Sequence, residues 1–266
     1  NMFTDQRAID AEILLLEELA KVVNKSERFL GFDLGNELNV LLRPEIDKNL
    51  TVEKGDLWCK TMFEACERVA PGKLHCNGMG HGPWFGECDF SRENLANNGF
   101  ATQFHGWVPF TGTNDKFGWN DERTYSLPLY MTELSKAYTE DSENRLFQLQ
   151  EFGVADNWIK DEEVLEKYIY NTLDFCAKEK NMWGITWWCS HDISDEFEGF
   201  MKMEHHLGLV DINNNPKVGG RIFKKYIEEF KNRKIEHYKP TKALIVKKGT
   251  GHENDRTNAD CYADQV

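Results

Sequence analysis

Two glutamates stand at the ends of short apolar segments. Glu37 follows the run LGFDL (30–34) after a Gly and Asn36, and Glu151 follows the run RLFQLQ (145–150) and precedes Phe-Gly. Apolar runs of this length that stop at Gly and polar residues predict buried strands. Catalytic groups of helix-covered parallel sheets gather at the carboxyl ends of the strands, so both glutamates are candidates. For Glu37, the alternative is a residue that caps the next helix and pairs with a neighbour.

Two carboxyl groups at such strand ends could cleave a glycosidic bond. One protonates the departing oxygen and the other attacks the sugar or activates water; in retaining enzymes the two lie about 5 to 5.5 Å apart. Like-charge repulsion across this gap raises the proton affinity of one group, as the two roles require. Asn36, directly before Glu37, is suited to bind a sugar 2-hydroxyl.

The elements that would position these residues alternate along the chain. Apolar residues at helical spacing predict helices, and short apolar runs predict strands. In chain order the predicted elements are helix 5–23, strand 30–34, helix 52–69, strand 74–77, helix 91–98, strand 100–104, helix 127–139, strand 145–153, helix 164–176, strand 184–189 and helix 216–230. This alternation predicts βαβ units, a parallel sheet and therefore an α/β fold.

A glycine-rich loop, GMGHGPWFGE (78–87), follows the predicted strand 74–77. One interpretation is a connection whose glycines need positive φ. The other is a loop that faces a ligand and presents His81 and Trp84 to it. The sequence leaves both open.

The composition of the chain argues against nucleic acid and membranes as binding partners. The chain of 266 residues has a net charge of −13 and no cluster of Lys and Arg, which argues against a nucleic-acid partner. No apolar run approaches the roughly 20 residues of a membrane span, so we expect no membrane partner. The eight Trp residues indicate either a Trp-rich core or platforms for sugar rings. The seven cysteines show no paired spacing, which favours a reducing compartment such as the cytoplasm.

The sequence contains no recognisable motif for a metal or a cofactor. Glu204, His205 and His206 are adjacent and lack metal-ligand spacing. The contiguous trio 190–192 cannot form a catalytic relay, and no phosphate-binding glycine motif follows a predicted strand. We therefore expect neither a cofactor nor a metal ion.

The ordered set GNE (35–37), FHGW (104–107), QEFG (150–153) and ITWWC (185–189) resembles the retaining glycosidases of clan A, most closely glycoside hydrolase family 5. The resemblance covers about residues 5–230. It implies a (β/α)₈ TIM barrel in which Glu37 ends the fourth strand as acid/base and Glu151 ends the seventh as nucleophile.

The resemblance also implies an aromatic contact to the nucleophile. His105 matches the His of the family's His-x-Tyr on the sixth strand, and Trp107 stands where Tyr is usual. The hydroxyl that this Tyr would offer to Glu151 then comes from Tyr125, from another residue, or from none.

The final strand is expected to carry the sugar platform. The resemblance points to Trp188, with Trp187 as the alternate, because adjacent strand residues point to opposite faces. At least one of the two must pack in the core. His191 and Asp192, at the end of this strand, could bind sugar hydroxyls.

The family carries three strand–helix units before its Asn-Glu strand, and the residues before Asn36 cannot encode them, since each unit takes about 30 residues. The family's Arg on strand 2 and His on strand 3 have no counterpart. We expect an incomplete TIM barrel that begins inside helix 3 and contains strands 4–8 with their helices. It would occupy residues 1–238, and 239–266, with the strand-like KALIV (242–246), would be the truncated start of a further domain or a disordered tail.

The function expected from the resemblance is that of a retaining O-glycosyl hydrolase acting by double displacement on an oligosaccharide or glycoside. The aromatic loops and the ending TWWCSHD favour β-mannosides, with β-glucosides next. The alternative is a non-catalytic carbohydrate-binding barrel, a pseudoenzyme in which the same aromatic residues bind sugar without turnover.

Overall fold

A computed structural model of the chain describes residues 1–41, 50–86 and 88–239. Over this part, a 3₁₀ helix covers Lys202–His206, and the α-helices are α1 (Gln6–Val23), α2 (Leu38–Leu41), α3 (Val52–Val69), α4 (Gly82–Phe85), α5 (Arg92–Asn97), α6 (Val108–Thr111), α7 (Thr113–Phe117), α8 (Glu122–Tyr125), α9 (Leu127–Lys136), α10 (Glu162–Lys178) and α11 (Val218–Phe230).

The described residues also contain a three-stranded parallel sheet. Its strands are β1 (Ala101–His105), β2 (Leu146–Phe152) and β3 (Met182–Trp187), hydrogen-bonded in that order. All three were predicted to within two residues at each end, and β3 begins and ends two residues earlier than predicted. Helices separate the strands along the chain, so the predicted α/β class with a parallel sheet is confirmed.

The described chain divides into two compact units. Unit 1 contains residues 1–104 and 134–147, and unit 2 contains residues 105–133 and 148–239. Glu37 belongs to unit 1, whereas Glu151 belongs to unit 2.

Unit 1 is built around the packing of α1 on α3. The side chain of Thr51 caps α3 by accepting the Lys54 N–H, and Trp58 and Cys59 are buried on its inner face. The Trp58 indole donates to Oε2 of Glu12 on α1 over 2.9 Å. The hydrogen bond between Trp58 and Glu12 and the buried apolar face of α3 thus hold α1 and α3 together.

The two predicted strands of unit 1 are reduced to extended segments joined at one bridge. Asp33 and Cys76 form a parallel bridge, and the Leu34 N–H donates to the Cys76 carbonyl over 3.0 Å. The segments approach so closely that a Cβ on Gly31 would lie 2.2 Å from the Leu74 carbonyl oxygen. The prediction of a buried strand at 30–34 was wrong in part, because the Leu30 side chain is 61% exposed.

In unit 2, α10 and α11 pack against each other. Asp161 caps α10 by accepting the N–H groups of Glu163 and Val164. Tyr170 of α10 meets Tyr226 of α11 edge to face, with ring centroids 5.0 Å apart. The helix predicted from residue 216 begins at Val218, because Pro216 instead bridges to Val210.

Two further predictions have different outcomes. The described glycines of the loop 78–86 do not have positive φ, so conformational need does not explain them. The segment KALIV (242–246), with nearly all of the expected tail, lies outside the described residues. Among the residues that the structure describes, none of the helices combines the length and apolar character needed to cross a membrane.

Candidate active site

Glu151 lies one residue before the end of β2, on its buried face. Phe147 and Leu149 are fully buried, and Glu151 is 7% exposed on the same side of the strand. Its backbone carbonyl accepts the N–H of Gly106, just after β1, over 2.7 Å. A carboxyl group in this position must be satisfied by partners from the protein or its ligand, because burying it alone is costly.

Two ring N–H groups face one oxygen of the Glu151 carboxyl group. Nδ1 of His105 lies 3.2 Å from Oε2, and Nε1 of Trp107 donates to the same oxygen over 3.1 Å. An indole N–H can only donate, so Oε2 acts as an acceptor. Charge-assisted bonds of this kind stabilise a carboxylate and fix its orientation, which suits a nucleophile.

The His105 ring is held from both sides. Its Nε2 lies 3.2 Å from Oε1 of Gln150, while Nδ1 carries the proton that faces the Glu151 carboxylate. Both ring nitrogens therefore lie within hydrogen-bonding distance of protein partners.

Trp107 itself supplies the donor that the sequence left unassigned. Tyr125, the other candidate, lies on α8 with its ring 5.8 Å from that of Phe175. Burial, with Glu122 and Asp121 nearby, raises the pKa of Tyr125. The Trp in the sequence FHGW therefore retains a hydrogen bond to the glutamate and replaces a hydroxyl by an N–H.

Gly153 allows the segments around Glu151 to close up. A Cβ at this position would lie 2.5 Å from the carbonyl oxygen of Trp188 and 3.1 Å from the Trp107 ring. The N–H of Trp188 also donates to the Phe152 carbonyl over 2.9 Å. Gly153 thus lets the end of β2 contact both the Trp107 indole and the chain just after β3, because it has no side chain.

The two adjacent Trp residues have opposite environments. Trp187 is 7% exposed, packs against Phe152 and Phe223, and donates its indole N–H to the Leu207 carbonyl over 2.9 Å. It is the core member of the pair, so its alternate assignment as a sugar platform does not fit. Trp188 is 45% exposed, and its role as the platform stays a prediction.

His191 and Asp192 are both engaged by protein groups. The exposed His191 ring contacts Ser190 and, over 2.9 Å, Oδ1 of Asn214. Oδ1 of Asp192 accepts from the Gly208 N–H and from Lys217 Nζ at 2.8 and 2.7 Å. Asp192 thus holds a loop in place, and its contact with sugar hydroxyls stays a prediction.

Lys217 is the buried cation of this region. Its side chain is 9% exposed and lies 2.8 Å from Asp156, the fifth residue after Glu151, as well as 2.7 Å from Asp192. The ammonium group therefore ties the segment after β2 to the segment after β3. No sequence pattern identified Lys217, because its two partners are distant along the chain.

In unit 1, Glu37 follows the bridged segment and begins a tight turn. It has φ of 48°, a left-handed conformation uncommon for residues other than Gly. Its carbonyl accepts the Val40 N–H over 2.8 Å. Asn36 is exposed and His81 is partly exposed at the start of α4, and sugar contacts by either remain predictions.

Trp84 is fully buried, and its ring lies 6.5 Å from that of Tyr138. Because the side chain has no exposed surface, it belongs to the core of unit 1 and cannot present a face to a sugar in this conformation. The ligand-facing interpretation of the loop therefore fails for Trp84.

No protein-family model matches the chain, and no curated protein matches it either. Solved structures do match. A GH5_18 from Streptomyces cattleya in complex with GlcNAc is 30% identical with a TM-score of 0.87, and the match covers 97% of this chain and 62% of that one. The resemblance to glycoside hydrolase family 5 is confirmed. A GH5_18 variant from Bifidobacterium longum subsp. longum in complex with Manβ1-4GlcNAc is 32% identical with a TM-score of 0.80, covering 91% of this chain and 56% of that one.

The GH5-like fold extends to a more distant structure. An exo-β-1,4-mannosidase from Opitutaceae bacterium strain TAV5 is 23% identical with a TM-score of 0.68, and covers 86% of this chain and 41% of that one. This likeness concerns the fold alone. The chain spans 62% of the length of the Streptomyces cattleya structure.

Proposed function

We propose that the protein containing this chain is a retaining β-glycosidase with Glu151 as nucleophile and Glu37 as acid/base. The observation that carries the proposal is the buried Glu151 carboxyl group, whose Oε2 receives N–H groups from His105 and Trp107 at 3.2 and 3.1 Å. Such donors orient a carboxylate and keep it available for attack.

The proposed reaction has two steps. In the first, a Glu151 oxygen attacks the anomeric carbon, the bond to the aglycone oxygen breaks, and the Glu37 carboxyl proton passes to that oxygen. In the second, the Glu37 carboxylate takes a proton from water while the water oxygen attacks the anomeric carbon and releases Glu151. Two inversions give net retention of configuration.

The proposed substrates are β-mannosides, with β-glucosides next. The GH5_18 structure bound to Manβ1-4GlcNAc, 32% identical to this chain, supports a β-linked mannose in the cleaved position. The 45% exposed Trp188 would lie under the reacting sugar. The net charge of −13 also favours a neutral sugar over an anionic one.

The corresponding fold proposal is a TIM barrel of which this chain supplies strands 4–8 within residues 1–238. The bridged segments around Asp33 and Cys76 would be strands 4 and 5. β1, β2 and β3 would be strands 6, 7 and 8. The parallel order β1-β2-β3 is what consecutive barrel strands require.

The test uses the full-length protein and an activated substrate, 2,4-dinitrophenyl β-mannoside. Glu151→Gln is expected to abolish release of dinitrophenol. Glu37→Gln is expected to release one equivalent in a burst and then stall, because this leaving group needs no acid but water still needs the base. Mass spectrometry should then detect a mannosyl group on Glu151.

The matched control is Glu179→Gln. Glu179 is also buried, at 6% exposure, but lies at the end of α10, where it accepts the Asn181 N–H. It should leave turnover unchanged. A protein that binds mannosides but in which neither Glu151→Gln nor Glu37→Gln alters anything except binding would instead be the non-catalytic barrel.

A further inference from the structure

We propose that Asn39 and Gly80 position the carboxyl group of Glu37 for proton transfer, an inference that rests on the function proposed above. Both residues belong to unit 1 together with Glu37. Neither is expected to touch the sugar; each would act by holding the acid/base.

The glycine-rich loop forms hydrogen bonds with the segment that carries Glu37. Oδ1 of Asp33 accepts the Gly78 N–H over 3.1 Å, and the Gly78 carbonyl accepts the Leu38 N–H over 3.4 Å. One turn further on, Oδ1 of Asn39 accepts the Gly80 N–H over 2.8 Å. Asp33 precedes Glu37 in the sequence, whereas Leu38 and Asn39 follow it. Their bonds to Gly78 and Gly80 therefore hold the loop backbone next to the segment that carries Glu37.

Gly80 leaves the space that the Glu37 carboxyl group occupies. A Cβ on Gly80 would lie 3.1 Å from Oε1 of Glu37 and 3.2 Å from both Oδ1 and Nδ2 of Asn39. The φ angle of Gly80 is not positive, so another residue could adopt its backbone conformation. The reason for a glycine here is therefore room for two side chains.

The backbone of Glu37 needs this support. Its φ of 48° lies in the left-handed region, which residues with a side chain rarely adopt, and such conformations persist where surrounding contacts hold them. The bonds from Asp33, Leu38 and Asn39 to the loop supply those contacts. Removing one of them allows Glu37 to relax away from the geometry that proton transfer demands.

The decisive comparison is Gly80→Ala against Gly82→Ala in the full-length protein. Among the described residues, a Cβ on Gly82 would meet Nδ2 of Asn39 at the ordinary contact distance of 3.4 Å and no other atom within 4 Å. Gly80→Ala is expected to lower kcat/KM for phenyl β-mannoside about 10- to 100-fold, because a misplaced acid loses much of the 10²–10⁴-fold that general acid catalysis contributes. For 2,4-dinitrophenyl β-mannoside, whose leaving group needs no proton, kcat/KM should hardly change. Gly82→Ala should match the parent with both substrates.

Sodium azide provides a second measurement. Azide attacks the anomeric carbon of the mannosyl-enzyme without needing a base, which releases the Glu151 carboxylate and gives mannosyl azide. With the dinitrophenyl substrate, azide should raise kcat of Gly80→Ala and of the reference variant Glu37→Ala, but not of Gly82→Ala. A Gly80 that merely makes room for substrate would change KM for both substrates and give no azide product.

Asn39→Ala covers the case in which Gly80→Ala does not fold, as judged by its thermal unfolding. It removes the acceptor for the Gly80 N–H without adding volume and should show the same leaving-group dependence and azide response. If Glu37→Ala yields mannosyl azide but Gly80→Ala and Asn39→Ala behave like Gly82→Ala, the positioning inference is wrong and the proposed function stands. If Glu37→Ala yields no azide product, the assignment of Glu37 itself fails.

Discussion

Replacing Trp107 by Phe removes one of the two N–H groups that face the Glu151 carboxylate. The bond is 3.1 Å long, and Trp107 and Glu151 are only 5% and 7% exposed, so water is poorly placed to replace it. A hydrogen bond to a charged group is worth about 2 kcal/mol. Because the indole N–H orients the carboxylate for attack, losing it should appear in kcat/KM as a decrease of about 30-fold.

The assay is the initial rate of hydrolysis of an aryl β-mannoside by the full-length protein. Trp187→Phe is the matched control, because Trp187 is buried to a similar extent, at 7% exposure, and its indole donates to a backbone carbonyl over 2.9 Å. Both variants should lower Tm, but only Trp107→Phe should lower kcat/KM strongly. Trp107→Tyr, which restores a donor, should recover part of the loss. Equal kcat/KM values for the two Phe variants would refute the role of the indole N–H.

Three other predictions concern the proposed sugar platform, a nearly buried ion pair and the pH dependence of stability. Trp188→Ala should lower kcat/KM for β-mannosides about tenfold, because about 1 kcal/mol or more of sugar–indole contact is lost. Lys217→Met should lower the free energy of unfolding by about 3 kcal/mol or more, measured by urea titration, because the nearly buried Asp192 loses its cation. Burial raises the pKa of Glu12 despite its bond from Trp58, so ionised Glu12 is disfavoured in the folded state. Glu12→Gln should therefore raise Tm at pH 7, and the gain should vanish as the pH falls below 4.5, the ordinary pKa of the group.

Each of these has a control in the same region. Trp183, on the same strand as Trp187 and 45% exposed like Trp188, should tolerate Ala without loss of kcat/KM. Lys224→Met breaks an exposed pair with Glu228 and should leave the free energy of unfolding nearly unchanged. Glu18→Gln, on the exposed side of α1, should not raise Tm at pH 7. If a control variant changed kcat/KM, the free energy of unfolding or Tm as much as its test variant does, the physical cause given for that prediction would be wrong.

Local structure followed from short-range patterns. The starts of α1, α3, α5 and α10 coincide with Asp5, Thr51, Ser91 and Asp161, whose side chains accept the first helical N–H groups. β1 and β2 follow from apolar runs that end at His105 and at the Glu-Phe-Gly ending. The two strand predictions in unit 1 were only partly right, because a single parallel bridge joins extended segments and Leu30 is exposed.

The environments of individual aromatic residues did not follow from the sequence. Trp84 and Trp188 both lie in aromatic segments next to Gly or polar residues, yet one is fully buried and the other is 45% exposed. Pattern alone ranks both as candidates, since a large side chain at an element's end can face either way. Packing against Tyr138 decides the first case.

The order of residue types along the chain was enough to propose Glu37 and Glu151 as candidates. It also predicted the alternation of helices and strands, because helical and strand periods are properties of the backbone itself. Only the tertiary structure decided that Trp107 donates to a carboxyl group 44 residues away, and that Gly80 lies against the side chain of Glu37. Such contacts depend on strand register and loop path. Those are determined by the packing of many distant residues together rather than by any local pattern.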